Sequence, residues 1–164
     1  MKKSVGYTEG IDVLLPVYNE EKHLERCLKS ILSQNFNQWN VYAVNDFSTD
    51  NSLEILHEFA AMDKRIHVLS NRTKGVIPAL LAAYQKGESE AVTRMDADDL
   101  MPPEKLATLY TQLKSSGNKS VVTGKVSYFS RGKLQNGFIR YQNWLNNLVD
   151  DQNHFNQIYR ECVI

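Results

Sequence analysis

Three carboxylates stand within four residues in Asp96-Ala97-Asp98-Asp99, straight after a β-like run, Glu90-Ala91-Val92-Thr93-Arg94-Met95. Like charges that close repel, and a chain keeps them where they are solvated or where a cation sits among them. Asp96 and Asp98 share one face if the strand geometry runs on, so they can meet one ligand together. A hard cation such as Mg²⁺ or Mn²⁺ takes one or two carboxylates and fills its other positions with water and phosphate oxygens. The spacing predicts a metal–diphosphate site at a strand end. The plainer alternative, a solvated turn before Pro102-Pro103, leaves the charge crowding without relief.

Two other loops are rich in acidic and polar residues: Pro16-Val17-Tyr18-Asn19-Glu20-Glu21, and Asn45-Asp46-Phe47-Ser48-Thr49-Asp50-Asn51-Ser52. Both have a bland reading. Asn19 can cap a helix whose N-terminus favours Glu20 and Glu21, and Ser48 to Asn51 are ordinary turn and cap residues. Asp46 differs, because it lies directly at the strand end and capping does not need it.

The elements that must position these loops alternate. Ile11 to Leu15 reads as a buried strand ended by Pro16, and Glu20 to Ser33 as a helix with an apolar stripe of Leu24, Leu28, Ile31 and Leu32. A strand over Trp39 to Val44 precedes a helix over Leu53 to Met62, with Asp50 or Asn51 as N-cap. Ile66 to Leu69 is a third strand. Gly75 to Gly87 is a helix that tolerates Pro78 in its first turn. Ala91 to Met95 is the fourth strand, Pro103 to Lys114 a helix and Ser120 to Thr123 a fifth strand. This order predicts an α/β fold with a mainly parallel sheet covered on both faces, and ligands at the carboxyl ends of its strands. The three loops then converge on one edge. Further on, Lys125 to Phe129 reads as a strand, Arg131-Gly132-Lys133 as a turn, and Arg140 to Val149 and His154 to Cys162 as helices.

Bulk properties exclude several classes. Lysine plus arginine equals aspartate plus glutamate at 19 each in 164 residues, which argues against a nucleic-acid binder with a broad basic field. No apolar run is long enough for a bilayer span, and Met1 to Tyr7 lacks the apolar stretch of a signal peptide. Cys27 and Cys162 form neither a metal pattern nor a disulfide framework and fit a reducing cytoplasm. His23, His57, His67 and His154 show no zinc spacing and are expected on helix surfaces or in loops.

The segments Leu15 to Glu21, Val44 to Ser52 and Met95 to Asp99 together resemble the family 2 glycosyltransferases of the GT-A fold, a Rossmann-like architecture. Ser30-Ile31-Leu32-Ser33-Gln34-Asn35-Phe36 and Trp144-Leu145-Asn146-Asn147-Leu148 are similar to that family too. The resemblance covers about residues 10 to 149 and its motifs come in order. It implies that Pro16, Tyr18 and Glu20 line a nucleotide pocket, that Asp46 accepts a hydrogen bond from the base, most often uracil, that Asp96 meets the ribose or the metal shell, and that Asp98 ligates Mn²⁺ or Mg²⁺. Asp99 would support the turn. It further implies a UDP-sugar donor, a hydroxyl on a glycan or lipid-linked acceptor, inversion, and a role in cell-surface polysaccharide synthesis. No nucleic acid is implied; the location is cytoplasmic, with attachment to the inner membrane face left open. On this resemblance residues 1–9 are a tail, 10–124 the nucleotide-sugar-binding core, and 125–164 the start of an acceptor-side region cut short at the apolar Cys162-Val163-Ile164.

The chain also departs from the pattern. Asn45 and Phe47 stand where the family usually has aspartate and glycine, and Leu80 and Leu81 where it usually has Arg-Asn. Arg72, Lys74 and Arg94 are then the candidate basic partners for a diphosphate. The general base is unassigned and expected beyond Ile164; Asp150-Asp151 reads better as the end of a helix. Two other readings stand beside this one. Met95-Asp96-Ala97-Asp98 also resembles a haloacid-dehalogenase-type phosphatase loop with Asp96 as nucleophile, though such loops usually open the domain and carry Thr or Val where Asp99 stands. The other is a non-catalytic nucleotide-sugar-binding module.

Overall fold

The structure is a computed structural model and describes residues 6–117, 120–130 and 132–150. Its elements are β1 (Thr8–Val17), α1 (Leu24–Leu32), β2 (Trp39–Asn45), α2 (Ser52–Met62), β3 (Ile66–Ser70), α3 (Val76–Lys86), β4 (Ser89–Arg94), α4 (Lys105–Ser115) and α5 (Asn136–Asp150). The four strands form one parallel sheet in the order β3-β2-β1-β4. By its contacts the chain falls into two compact units, Met1–Tyr110 and Thr111–Ile164.

In the first unit β1 is the central strand, and it reads as a near-continuous apolar run because helices cover both faces of the sheet. Leu14 and Val44 meet Ala79 and Ala83 of α3, with Tyr42, Leu69 and Leu80 packed around them. Two alanines four apart let α3 lie close to the sheet. Val13, Leu15, Val17 and Val41 alternate to the opposite face and are fully buried. There α2 packs on β2 and β3 and touches α1. Asp12 is a fully buried carboxylate in this core. It accepts the Ser89 N–H at 2.9 Å and the Ser89 hydroxyl at 2.7 Å, tying β1 to the turn that enters β4. A Cβ at Gly87 would lie 2.2 Å from Asp12 Oδ2, so that turn needs glycine.

The parallel α/β architecture matches the expectation, with differences in detail. Pro16 does not end β1, which runs on to Val17. Pairing with β4 stops at Leu14, so the missing Pro16 N–H falls where β1 has a strand on one side only. The first helix begins at Leu24 rather than Glu20, and Cys27 joins Leu24, Leu28 and Ile31 on its buried face while Leu32 is only half-buried. His67 lies in β3, stacked on Tyr42, rather than in a helix or loop.

The expected fifth strand and the strand over 125–129 are absent: residues 120–130 carry no regular structure. In the second unit the backbone groups of this stretch are held by side chains of α5. Asn146 accepts the Val126 N–H at 2.8 Å and donates to its carbonyl at 2.9 Å, and Gln142 accepts the Tyr128 N–H at 2.7 Å. Asp150 ends α5 in an exposed ion pair with Lys125 at 2.8 Å. Arg131 of the expected turn, the helix expected over 154–162, Asp151 and Cys162 lie outside the described residues.

Candidate functional site

The sheet order sets the position of the site. β2 and β3 extend to one side of β1 and β4 lies on the other, so chain direction switches between β1 and β4. Ligands of parallel sheets bind at such a switch point, outside the carboxyl ends of the strands. A cleft of about 210 Å³ opens there, lined by Pro16, Val17, Tyr18, Glu20, Asp46, Val76, Asp96, Ala97 and Asp98. All six residues singled out in the sequence as binding a donor or metal line this cleft.

The acidic loop alternates although β4 has ended at Arg94. Met95, Ala97 and Met101 are buried, whereas Asp98 and Asp99 are exposed. The buried apolar residues anchor the loop and turn the carboxylates outward. Asp96 is engaged by Arg94, whose Nη2 lies 2.8 and 3.1 Å from its two oxygens and whose Nε lies 3.0 Å from Oδ1. Asp98 forms no hydrogen bond or ion pair among the described residues. Partial burial, then repulsion from Asp98 and Asp96, raises the Asp99 carboxyl above its ordinary range, with Lys105 and Arg94 pulling the other way. Beneath the loop, burial and the surrounding carboxylates push the Cys27 thiol up to about 12.

The first two loops interlock, which the cap-and-turn reading does not anticipate. Ser48 Oγ accepts the Asn19 N–H at 3.1 Å, Ser52 Oγ the Glu20 N–H at 2.8 Å, and Asp50 the Glu21 N–H at 3.0 Å. In return Asn19 Oδ1 accepts the Thr49 N–H at 2.8 Å, and Glu21 accepts both the backbone and the side-chain N–H of Asn51. Asn51 occupies the N-cap position of α2 without a side-chain cap bond; Asp50 accepts the Ser52 N–H at 3.0 Å instead. Burial is the largest single influence on the Asp50 carboxyl and raises it, but the hydrogen bonds from Ser52 and Glu21 together outweigh it and hold the group below the usual range. Asn19 and Phe47, at φ +53° and +62°, turn the chain on either side of the interlock. Asparagine tolerates that left-handed region; for phenylalanine it is strained.

Asp46 is buried, and its carboxylate receives the Gly75 N–H at 3.0 and 2.9 Å and the Asn71 amide at 2.7 Å. Gly75, at φ +135°, adopts a backbone that side-chain-bearing residues rarely reach. The pair fixes the loop before α3 and brings Lys74 to the cleft, where its Nζ lies 3.0 Å from the Tyr18 hydroxyl and 4.2 Å from the ring centre. Of the three candidate cations, Lys74 thus stands beside a cleft residue, Arg94 on Asp96, and Arg72 is exposed. Leu80 packs into the core and Leu81 is exposed, so neither replaces a basic group.

The sequence model of the family described as Glycosyl transferase family 2 matches residues 12–162. The chain belongs to that family. Within glycosyl transferase family 2, it is 33% identical over 135 residues to the glycosyltransferase GlyG of Streptococcus pneumoniae, covering 82% of this chain and 44% of GlyG. It is 37% identical over 105 residues to GlyA of the same organism, 64% of this chain and 15% of GlyA. The chain thus spans less than half the length of these relatives. S. aureus TarS 1-349 in complex with UDP-GlcNAc superposes with a TM-score of 0.60 at 25% identity, over 71% of this chain and 37% of that one. The mannosyltransferase PcManGT from Pyrobaculum calidifontis, in complex with GDP-Man and Mn²⁺, superposes with a TM-score of 0.58 at 26% identity, over 70% of this chain and 34% of that one.

Among the described residues no three His, Cys, Asp or Glu side chains are arranged to cage a metal ion. The donor set fits a different kind of site. Mg²⁺ and Mn²⁺ take one or two carboxylates and leave the rest of their positions to phosphate and water, and Asp98 offers an uncommitted, exposed carboxylate at the cleft. Also among the described residues, no helix is long and apolar enough to cross a membrane.

Proposed function

We propose that this chain is the donor-binding part of a glycosyltransferase that moves a sugar from a UDP-linked donor to a hydroxyl of a glycan or lipid-linked acceptor, with inversion. The observation that carries the reading is the convergence of Tyr18, Asp46 and Asp98 on one cleft at the topological switch point. Tyr18 offers a half-exposed ring for a base. Of about four acceptor positions on a carboxylate, Asp46 has three filled by Gly75 and Asn71, which leaves one for an N–H of the base. Asp98 holds a divalent cation together with the donor diphosphate. Such an ion stabilises the charge that develops on the departing nucleoside diphosphate. Lys74 adds a positive charge at the rim beside Tyr18.

Asp98 is reserved for the cation, and the other cleft carboxylates are already engaged and so poorly placed to serve as base. Asp96 is held by Arg94, Asp46 by Gly75 and Asn71, and Glu20 lies 3.0 Å from His23 Nδ1. The proton of the acceptor hydroxyl goes to a carboxylate outside this set. The phosphatase reading of Asp96 loses support because the chain belongs to glycosyl transferase family 2. Membership of the family, polysaccharide synthases such as the chondroitin synthase of Pasteurella multocida among the relatives, and the UDP-GlcNAc bound by TarS support a UDP-sugar and a role in polysaccharide synthesis. A buried, unpaired thiol at Cys27 suits a reducing cytoplasm.

The test is a thermal-shift panel of UDP-sugars and GDP-mannose, each with Mn²⁺. A ligand at one hundred times its Kd adds about 2.7 kcal/mol to apparent stability. UDP-sugars are expected to raise Tm and GDP-mannose to raise it less. No shift with any nucleotide sugar would overturn the reading.

A further inference from the structure

The end of α1 and the residues after it grip the loop that carries Asp96 to Asp99. The Gln34 side chain, 6% exposed, donates from Nε2 to the Pro102 carbonyl at 2.8 Å and to the Ser30 carbonyl at 3.2 Å, while Oε1 accepts the Leu106 N–H at 3.0 Å. Only one orientation of the amide satisfies all three, since a flip would face oxygen to two carbonyls and NH₂ to an N–H. Ser30 Oγ accepts the Met101 N–H at 3.0 Å and donates to the Cys27 carbonyl at 2.7 Å. The Asn35 N–H reaches the Pro103 carbonyl at 2.9 Å, and Cys27 Sγ lies 3.7 Å from the Asp96 carbonyl.

These contacts take hold of the backbone at Asp96, Met101, Pro102, Pro103 and Leu106, on both sides of Asp98. None uses an Asp98 or Asp99 carboxylate. The loop has no ladder of its own after β4 ends at Arg94, so the polar groups of its backbone find partners in α1 and the residues after it instead. A cap for α4 would account for the Leu106 bond alone. It does not account for Pro102, Met101 or Asp96, which lie before that helix.

We propose that Gln34, seconded by Ser30, is a positioning residue that keeps Asp98 directed into the cleft. The proposal rests on the donor-site reading above and adds to it the device that pre-sets the acidic loop. It also gives a physical role to Ser30 and Gln34 in the stretch Ser30 to Phe36. Groups bonded directly to a ligand side chain typically govern affinity by about 10–100-fold; Gln34 and Ser30 act through the loop backbone, so the low end of that range is expected of them.

The test compares the wild-type chain with Gln34→Ala, Ser30→Ala and Ile66→Ala. Ile66 is buried in β3, at the sheet edge opposite β4, and serves as the control for plain destabilisation. Free Mn²⁺ is read by electron paramagnetic resonance at saturating UDP, and amide exchange of Met101 and Leu106 by NMR. Gln34→Ala is expected to speed exchange at Leu106 and to weaken Mn²⁺ binding by about tenfold. Ile66→Ala, at equal or greater loss of stability, is expected to leave Mn²⁺ affinity within about twofold. Of the bonds to the loop, Ser30→Ala removes only that of Met101, along with the Ser30 bond to the Cys27 carbonyl, and it carries the test if Gln34→Ala does not fold; it is expected to lose affinity in the same direction by less. Wild-type Mn²⁺ binding with Gln34→Ala or Ser30→Ala no worse than Ile66→Ala overturns the positioning role and leaves the donor site standing. No Mn²⁺ binding by the wild type overturns the donor site first, and this proposal with it.

Discussion

Both carboxylate oxygens of Asp46 accept the backbone N–H of Gly75, at 3.0 and 2.9 Å. One acidic side chain at the end of β2 thereby fixes the loop before α3, 29 residues further on. Hydrogen bonds to charged groups are worth about 1.5–3 kcal/mol, and the buried N–H left behind is costly. Asp46→Ala is therefore expected to destabilise the chain by about 2–3 kcal/mol in urea denaturation, and to abolish UDP binding even where enough protein stays folded. A fully stable Asp46→Ala variant would contradict the linkage.

Phe47 sits in the left-handed region, φ +62°, and the residue is 49% exposed. For side-chain-bearing residues that conformation costs about 1–2 kcal/mol, which glycine avoids. Phe47→Gly is expected to be more stable than Phe47→Ala by about 1 kcal/mol. In a helix or strand alanine would win, so the order of the two variants in chemical denaturation reports the backbone directly.

Ser52 is fully buried and its hydroxyl oxygen accepts the Glu20 N–H at 2.8 Å. Ser52→Ala leaves that N–H without its acceptor, at a cost of about 1–3 kcal/mol. Because Glu20 and Tyr18 line the cleft from the loop so held, the variant is also expected to weaken UDP binding. Isothermal titration at matched folded fraction separates the two effects; unchanged affinity would show that the interlock serves stability alone.

Cys27 links the acidic loop to alkaline stability. Its thiol is raised from 9.0 to about 12, first by burial and then by Asp99, Asp98, Asp96 and Glu20. The unfolded chain gives up this proton near pH 9 while the folded chain keeps it, so the contribution is fully present below pH 9 and is lost as pH rises toward 12. Unfolding free energy should fall more steeply above pH 9 in the wild type than in Cys27→Ala. In a Cys162→Ser background, the Cys27 thiol should resist alkylation at pH 8 until the chain unfolds. Rapid modification of the folded chain would contradict its burial.

The parallel order of strands and the convergence of three loops were legible in the sequence because period and loop composition are local signals. Tyr18, Asp46, Asp96 and Asp98 lie where that logic puts them. What stayed hidden depends on partners far along the chain. Ser48, Asp50 and Ser52 look like cap residues, yet they bond to Asn19, Glu21 and Glu20, about 30 residues earlier. Gln34 looks like a polar residue at a helix end, and its partners Pro102 and Leu106 come 68 and 72 residues later. The strands expected over 120–123 and 125–129 failed for a related reason. Their β-branched composition is real, but Val126 and Tyr128 bond to amide side chains of α5 rather than to another strand. Propensity describes a segment; pairing requires a neighbour.

The central claim is that Asp98 binds the donor diphosphate through a divalent cation. Isothermal titration of UDP into the chain, with and without Mn²⁺, for the wild type and Asp98→Ala, tests it most directly. The account predicts heat of binding for the wild type with Mn²⁺, and a large loss of that affinity on removing either the metal or the Asp98 carboxylate. The two losses should not add, because the carboxylate acts only through the ion. Equal heats from wild type and Asp98→Ala in the presence of Mn²⁺, or none from the wild type, would contradict it.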